Sequence, residues 1–188
     1  LLTQSAVRAH DRVGMVLFTD RVEKVLPPLG GRNRTSRLVA EIISIEPRGQ
    51  GTDVAHALDY LDSVSSRRSI SFILSDMHGG PFHRQVRRMA DRHEIVPVWL
   101  LDPTEINLPN AGMVRLRDME TGQQVLIDTS HRPARDAFAA RQAKRRSDLR
   151  SQMTRLGLDL VEVETNKPYI HPILKFFQRR DQRRRVLA

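Results

Sequence analysis

Apolar and polar residues follow one another along the chain in blocks that predict strands and helices in turn. Nearly continuous apolar runs at Val13–Thr19, Ser69–Ser75 and Glu94–Leu101 are typical of strands covered on both faces. Between and around these runs, apolar residues recur at helical spacing. The helical segments are Leu38–Ile45, Val54–Leu61 and Val86–Ala90. Strands that alternate with helices at this spacing predict a parallel sheet with helices on both faces.

An edge strand, a hairpin and two C-terminal helices complete the predicted order. Val22–Leu26 predicts a short antiparallel edge strand, which we expect to end at Pro27 and Pro28. Pro97 interrupts the third apolar run, and we expect it to mark a bulge or a first-turn position. The other predicted elements are a β-hairpin of Val114–Asp118 and Gln124–Asp128 around Thr121-Gly122, a helix from about His131 to Leu156 closed by Gly157, a strand over Leu158–Val163 and a helix over Tyr169–Phe177.

The composition is that of one globular domain and excludes several kinds of chemistry. The chain has 188 residues, of which 39% are hydrophobic and 28% charged, which suits a single well-buried core. There is no cysteine, so disulfides, thiolate zinc sites and cysteine nucleophiles are excluded. No apolar run approaches the roughly 20 residues that span a bilayer. The first ten residues have neither a start methionine nor a signal-peptide layout, and we expect them to be the second half of a helix at a cut N terminus.

The net charge of +9 is concentrated in two C-terminal segments. Residues 131–156 hold eight basic and two acidic side chains, and residues 175–188 hold six basic and one acidic. The rest of the chain is therefore nearly neutral. Any argument from charge to a binding partner applies to these two segments and not to the whole molecule.

The basic residues of these segments form a predicted partner-binding surface. They are Arg141, Lys144, Arg145, Arg146, Arg150, Arg179, Arg180, Arg183, Arg184 and Arg185. Aromatic residues make up only 5% of the chain, so no stacking platform for bases accompanies the cations. An acidic protein partner or an anionic membrane surface is therefore favoured over nucleic acid, and a nucleic-acid-binding domain that uses the Arg-rich helices remains the alternative. We expect residues 178–188 to form a frayed basic tail.

Two loops carry oxygen ligands next to predicted strands or helices. Thr52 and Asp53 follow a Gly-rich turn that leads into a helix, and Asp76 stands where the second apolar run ends. Ligands bind at the carboxyl ends of strands in open α/β sheets. Hydroxyl and carboxylate oxygens suit Mg²⁺ or Mn²⁺. Each residue taken alone is more typical of an ordinary helix or turn cap than of a metal ligand.

Other chemistries have weaker support. His78 and His83 could join Asp76 in a metal-hydrolase cluster, but the sequence lacks the repeated His/Asp spacing of two-metal hydrolases. The glycines at Gly49, Gly51 and Gly79-Gly80 are not followed by Gly-Lys-Ser/Thr, which argues against a phosphate-binding loop. We therefore predict that the chain is not an enzyme.

An ordered series of segments resembles a known family. Asp11–Asp20, Gly51–Val54 with Ala57-Leu58, and Phe72–Asp76 resemble a von Willebrand factor A-like domain. More narrowly, they resemble the bacterial domain-of-unknown-function family fifty-eight, which occurs beside MoxR-type AAA+ ATPases. The resemblance continues through Asp102-Pro103, Leu108-Pro109, Asp118–Gly122, Val125–Ser130 and the stretch from Leu156-Gly157 to Pro168-Tyr169.

The resemblance implies a fold and a type of site. The fold would be a doubly wound, mostly parallel α/β sheet in three Rossmann-type layers with an inserted hairpin, formed as one domain over residues 1–188. The site would be a metal-ion-dependent adhesion site, in which Thr52 and Asp76 match the second and third ligand loops and Asp53 lies behind them. The first loop, Asp-x-Ser-x-Ser, and the central strand before it are missing, so we expect a gap in the sheet.

The resemblance also implies a function. The chain would be a non-catalytic interaction module, an adaptor that works with a MoxR-type ATPase, or with its client, through an acidic residue of the partner. Mg²⁺ or Mn²⁺ would bind in the intact protein, but two protein oxygens are too few to hold it in this chain alone. The domain would be cytoplasmic, and an N-terminal segment absent here could anchor the protein in a membrane.

Overall fold

The computed structural model describes residues 1–117 and 122–186, without the side chains of residues 184–186. The segment Asp118–Thr121 of the predicted hairpin therefore lies outside the described residues. The chain is divided into two compact units, one of residues 1–66 and 79–85 and one of residues 67–78 and 86–188. The sequence predicted one continuous domain. That single domain over residues 1–188 stays a prediction. The described strands form three separate hydrogen-bonded sheets.

The first unit is built on an antiparallel strand pair. Its elements are α1 (Leu2–Arg8), β1 (Val13–Phe18), β2 (Val22–Leu29), α2 (Arg34–Ser44) and α3 (Val54–Val64). β2 was expected to end at Pro27, but it runs through Pro27 and Pro28 and pairs as far as Leu29 opposite Val13. The prolines are tolerated because β2 pairs with β1 alone, and an edge strand does not need every N–H for a ladder.

The second unit is built on a parallel sheet of three strands in the order β3 (Ser69–Ser75), β4 (His93–Leu101) and β7 (Val161–Glu164). The chain passes between the units three times, and the last of these boundaries falls within α4 (His83–Met89). The other elements are α5 (Pro103–Ile106), β5 (Met113–Arg117), β6 (Gln124–Asp128), α6 (Arg132–Arg155) and α7 (Ile170–Val186). The predicted hairpin is confirmed as the antiparallel pair β5–β6. The chain is thus a mixed α/β protein with one parallel sheet and two small antiparallel ones.

The central strand β4 is the best-buried element of the second unit. Trp99 is 1% exposed, and Val96 and Val98 are 1% and 3% exposed. The bulge expected at Pro97 is wrong, because β3 pairs with β4 in one uninterrupted register. Pro97 fits the strand because β7 pairs only from Val98 onward, so no β7 residue stands opposite the proline.

Two strands that were expected to be fully covered have an open edge. β1 pairs only with β2, and β3 pairs only with β4, within the part of the chain that the structure describes. No residue of β1 is fully buried. On β3, Ile70 and Leu74 are 43% and 53% exposed. Each of these strands therefore has one unpaired edge among the described residues, and their apolar runs are only partly buried.

The C-terminal helix α7 docks on the parallel sheet and continues further than expected. Phe176 and Phe177 pack around Phe72 of β3, with ring centroids 6.1 and 6.2 Å from its ring. Arg180 and Arg183 then form ion pairs with acidic residues of the same unit. The predicted fraying from residue 178 is replaced by helix up to Val186, because these ion pairs hold the basic turn in place. In the described residues, no helix has the length and apolar character needed to cross a membrane.

Candidate functional site

Asp76 lies in the loop after β3, at the carboxyl end of the parallel sheet. Its Oδ1 accepts a hydrogen bond from the main-chain N–H of His78 at 3.0 Å and from the Ser75 hydroxyl at 3.4 Å. Its Oδ2 has no hydrogen-bond partner among the described residues. Met77 has a φ of 54°, and its N–H donates to Ser75 Oγ at 3.0 Å. The loop therefore has a defined conformation and leaves one carboxylate oxygen unpartnered.

Trp99 and Arg145 hold the main chain of this loop. The Trp99 indole N–H donates to the Asp76 carbonyl at 2.9 Å. The Arg145 guanidinium donates to the Met77 carbonyl at 3.1 Å and to the Asp76 carbonyl at 3.4 Å. It also lies 5.8 Å from the centroid of the Trp99 ring, within range of a cation–π contact. The sequence marked Trp99 only as part of a strand, and no local pattern reveals that it supports the loop.

Thr52 belongs to the first unit, in the Gly-rich loop (residues 49–53) that leads into α3. Its hydroxyl has no hydrogen-bond partner among the described residues. Asp53 is the N-cap of α3, and its Oδ1 accepts from the His56 N–H at 2.9 Å. Gly79 approaches this loop so closely that a Cβ there would lie 2.7 Å from the Thr52 carbonyl oxygen. Asp53 thus has a capping role, while the Thr52 hydroxyl is unpartnered.

Glu23 of β2 organises the start of the Gly-rich loop, and the sequence analysis did not identify it. Its Oε1 accepts from the Thr19 hydroxyl at 2.7 Å and from the N–H groups of Gly49 and Arg48 at 2.6 and 3.1 Å. The Thr19 hydroxyl and these N–H groups hold the pKa of Glu23 below its ordinary value. A Cβ at Gly49 would lie 2.0 Å from Asp20 Oδ1 and 2.1 Å from Thr19 Oγ1, so a larger residue would displace these side chains. Glu23 is one polar position among several on an edge strand, so periodicity gives no signal for it.

The predicted basic surface on α6 separates into engaged and unengaged cations. Arg145 is bound to the Asp76 loop as described above. Arg146 and Arg150 bind Glu162 of β7, with Arg150 Nε 2.6 Å from Oε1 and Arg146 Nη2 3.3 Å from Oε2. Two cations of the predicted surface on α6 remain, Arg141 and Lys144. Both are exposed and have no ion pair within the described residues.

The cations of α7 show the same division. Arg180 binds Glu94 at 2.7 Å, and Arg183 binds Asp159 through two hydrogen bonds of 2.8 and 2.7 Å. Arg179 has no ion pair in the described part of the chain. The side chains of Arg184 and Arg185 lie outside the described residues. The α7 cations with described contacts thus hold the helix on its own unit.

The two candidate metal ligands are each of the right chemical kind, and they belong to different units. Thr52 supplies a neutral hydroxyl and Asp76 a single carboxylate, both hard oxygen ligands that suit Mg²⁺ or Mn²⁺. Searched over residues 1–117 and 122–186, the structure has no group of three His, Cys, Asp or Glu residues that could hold a metal ion. These residues alone do not fit a self-sufficient metal site, since Mg²⁺ exchanges its waters only for several well-placed oxygens.

Comparisons with known proteins identify relatives over most of the chain. The family described as "Protein of unknown function DUF58" matches residues 1–148. An uncharacterized protein of Mycobacterium tuberculosis is 32% identical over 183 residues, covering 95% of this chain and 56% of the relative. An uncharacterized protein of Mycobacterium avium is 32% identical over 168 residues, covering 87% of this chain and 96% of the relative. The chain spans about half the length of the first of these relatives.

One solved structure shares the fold. The crystal structure of the conserved hypothetical protein BatB from Bacteroides thetaiotaomicron superimposes with a TM-score of 0.51 at 16% sequence identity. The alignment covers 92% of this chain and 80% of that chain. At this identity the likeness extends to the arrangement of helices and strands and to nothing finer.

Proposed function

The chain belongs to the family of proteins of unknown function DUF58, and on that basis we propose that it is a non-catalytic protein-interaction module. The observation that carries the proposal is the Asp76 loop. Trp99 and Arg145 fix its main chain, yet Asp76 Oδ2 is left without a described partner. A carboxylate that is held through one oxygen and keeps the other without a described partner, at the carboxyl end of a parallel sheet, is suited to recognition.

We propose a von Willebrand factor A-like fold with its first central strand outside these 188 residues. The support is that β1 and β3 are each paired on one edge only, although both are rich in apolar residues. Unpaired apolar edges are a liability that proteins normally cover. In the intact protein, an N-terminal segment could carry that strand and anchor the module at the cytoplasmic side of a membrane.

In this proposal Thr52 and Asp76 are two ligands of a partial metal-ion-dependent adhesion site. The remaining ligands would come from the first loop of the fold, and Mg²⁺ or Mn²⁺ would then leave one position open for an acidic side chain of the partner. What supports this is the hard-oxygen character of both residues and their unpartnered ligand atoms.

The two ligands alone should bind metal negligibly, which is a testable prediction. Isothermal titration of the 188-residue chain with Mg²⁺ or Mn²⁺ should give no saturable heat at millimolar metal, because too few oxygens replace the hydration shell. Asp76→Asn should titrate identically. Stoichiometric binding at micromolar metal that Asp76→Asn abolishes would show that the chain already holds a complete site.

The proposed partner is a MoxR-type AAA+ ATPase or its client, with the chain acting as an adaptor. The test is capture of the purified ATPase from the same organism by the immobilised protein, in Mg²⁺ and in EDTA. Capture in either condition supports the adaptor. Failure in both, together with binding of a DNA oligonucleotide that survives about 200 mM salt, would favour the nucleic-acid alternative, because purely electrostatic contacts weaken steeply over that range.

A further inference from the structure

A groove lies beside the Asp76 loop in the second unit. It has a volume of about 480 Å³ and is lined by Met77 of the loop and by α6 residues that include Arg141, Lys144 and Leu149. Arg145 also lines the groove, where its guanidinium is bound to the Met77 carbonyl at 3.1 Å. We call this feature the basic groove. One wall of it is therefore the loop that carries the candidate ligand Asp76.

The charge of the basic groove is not neutralised by the residues that the structure describes. Arg141 and Lys144 are exposed and have no ion pair among the described residues. The single acidic residue among the groove's lining, Asp148, forms no described ion pair either. Arg141 and Lys144 carry two positive charges and Asp148 carries one negative charge. The groove is therefore net positive even when Arg145 is not counted. Such a surface attracts an anionic group.

The shape and charge pattern favour a peptide over a nucleic acid. A nucleic-acid backbone needs a continuous track of available cations. The row of cations on α6 is interrupted, because Arg146 and Arg150 form ion pairs with Glu162. The groove also has an apolar lining from Met77 and Leu149, and methionine adapts readily to protein surfaces. A short acidic segment with carboxylates beside methylene groups matches both features.

We propose that the basic groove binds an acidic segment of a partner protein, with Arg141 and Lys144 contacting its carboxylates. Arg145 is a positioning residue, since its Nη2 donates to the Asp76 and Met77 carbonyls in the groove wall. The inference rests on the proposed interaction function and names the surface that performs it. It requires no metal ion.

The test uses a fluorescein-labelled hexaglutamate peptide and the purified protein, followed by fluorescence anisotropy at about 50 mM salt, where exposed charge contacts are weakly screened. The double variant Arg141→Gln/Lys144→Gln should weaken peptide binding about tenfold, since each exposed charge contact contributes a few-fold. The matched control Arg115→Gln/Arg117→Gln removes the same charge from exposed positions of β5 and should change binding less than twofold.

Several outcomes would overturn the inference. Equal losses in the two double variants would mean that only overall charge attracts the peptide. Tighter binding of phosphatidylserine vesicles or of a single-stranded oligonucleotide than of hexaglutamate, lost in the groove variant, would reassign the groove to that ligand.

The capture assay separates this inference from the proposed function. If the wild-type protein captures the ATPase and the groove variant captures it equally well, the inference fails while the adaptor function stands. If the groove variant no longer binds hexaglutamate and the wild-type protein captures no ATPase, the inference about the groove is supported and the proposed partner is wrong. Loss of both peptide and ATPase in the groove variant, with the β5 control unaffected, supports the two proposals together.

Discussion

Replacing Glu162 by Gln removes the charge that joins α6 to the parallel sheet. Its carboxylate receives Arg150 Nε at 2.6 Å, Arg150 Nη2 at 2.7 Å and Arg146 Nη2 at 3.3 Å. These bonds matter because Met153 is the one fully buried residue that α6 contributes over its described length. Polar contacts to Glu162 therefore contribute to the attachment of the helix beside the burial of Met153.

The magnitude follows from the exposure of the partners. Hydrogen bonds to charged groups contribute about 1.5–3 kcal/mol when shielded, and exposed ion pairs about 0.2–1 kcal/mol. The Glu162 and Arg146 side chains are 24% and 23% exposed, but Arg150 is 53% exposed and screened by solvent. We expect Glu162→Gln to lower the free energy of unfolding by about 1.5 kcal/mol, and Tm by about 3–6 °C for a chain of this size.

The effect should depend on pH in one direction. Burial alone would raise the pKa of Glu162, but hydrogen bonds and charge from Arg150 and Arg146 outweigh it, and the pKa lies below the ordinary 4.5. A lowered folded-state pKa stabilises the protein above the unfolded-state value, and the stabilisation is lost as pH falls through the folded-state value. The difference between wild type and Glu162→Gln should be full at pH 7 and shrink below about pH 4.5.

Urea denaturation followed by the fluorescence of the single tryptophan, Trp99, measures this difference in the unit that contains Glu162. The control is Glu164→Gln, two residues along the same strand, whose partner Lys167 is 64% exposed. It should cost less than about 0.5 kcal/mol. The reasoning is refuted if both variants lose equal stability, or if the Glu162→Gln difference persists undiminished at pH 3.5.

Two further substitutions test the first unit. Arg34 is 5% exposed and donates to main-chain carbonyls of β1 and β2. Arg34→Met should lower the free energy of unfolding by about 2–4 kcal/mol in urea denaturation, because it leaves those carbonyls unpaired, whereas exposed Arg37→Met should be near neutral. Gly79→Ala should cost about 2 kcal/mol, since φ is +147° and Cβ would lie 2.7 Å from the Thr52 oxygen. Gly80→Ala, in open space, should change Tm little.

The elements were predictable because their signals are local. Apolar runs identified β3 and β4, and Gly157, with φ of +69°, marked the end of α6. The hairpin followed from alternation around a glycine. Where an element's limits depend on its neighbours, the sequence prediction was wrong. β2 continued through two prolines because it lies at an edge, and α7 continued past residue 178 because acidic partners hold its basic turn.

The sequence by itself placed Thr52 before a helix and Asp76 at a strand end, since these positions are readable from periodicity. The metal role of both residues stays a prediction. The sequence also located the basic segments. Only the tertiary structure decided which cations are available, because whether an arginine meets a carboxylate depends on residues far away in the chain. Arg145 looked like part of a surface stripe, yet it binds carbonyls 68 and 69 positions earlier in the sequence. Contacts between residues far apart in the sequence produce no periodic pattern. They can therefore be identified only in the folded structure.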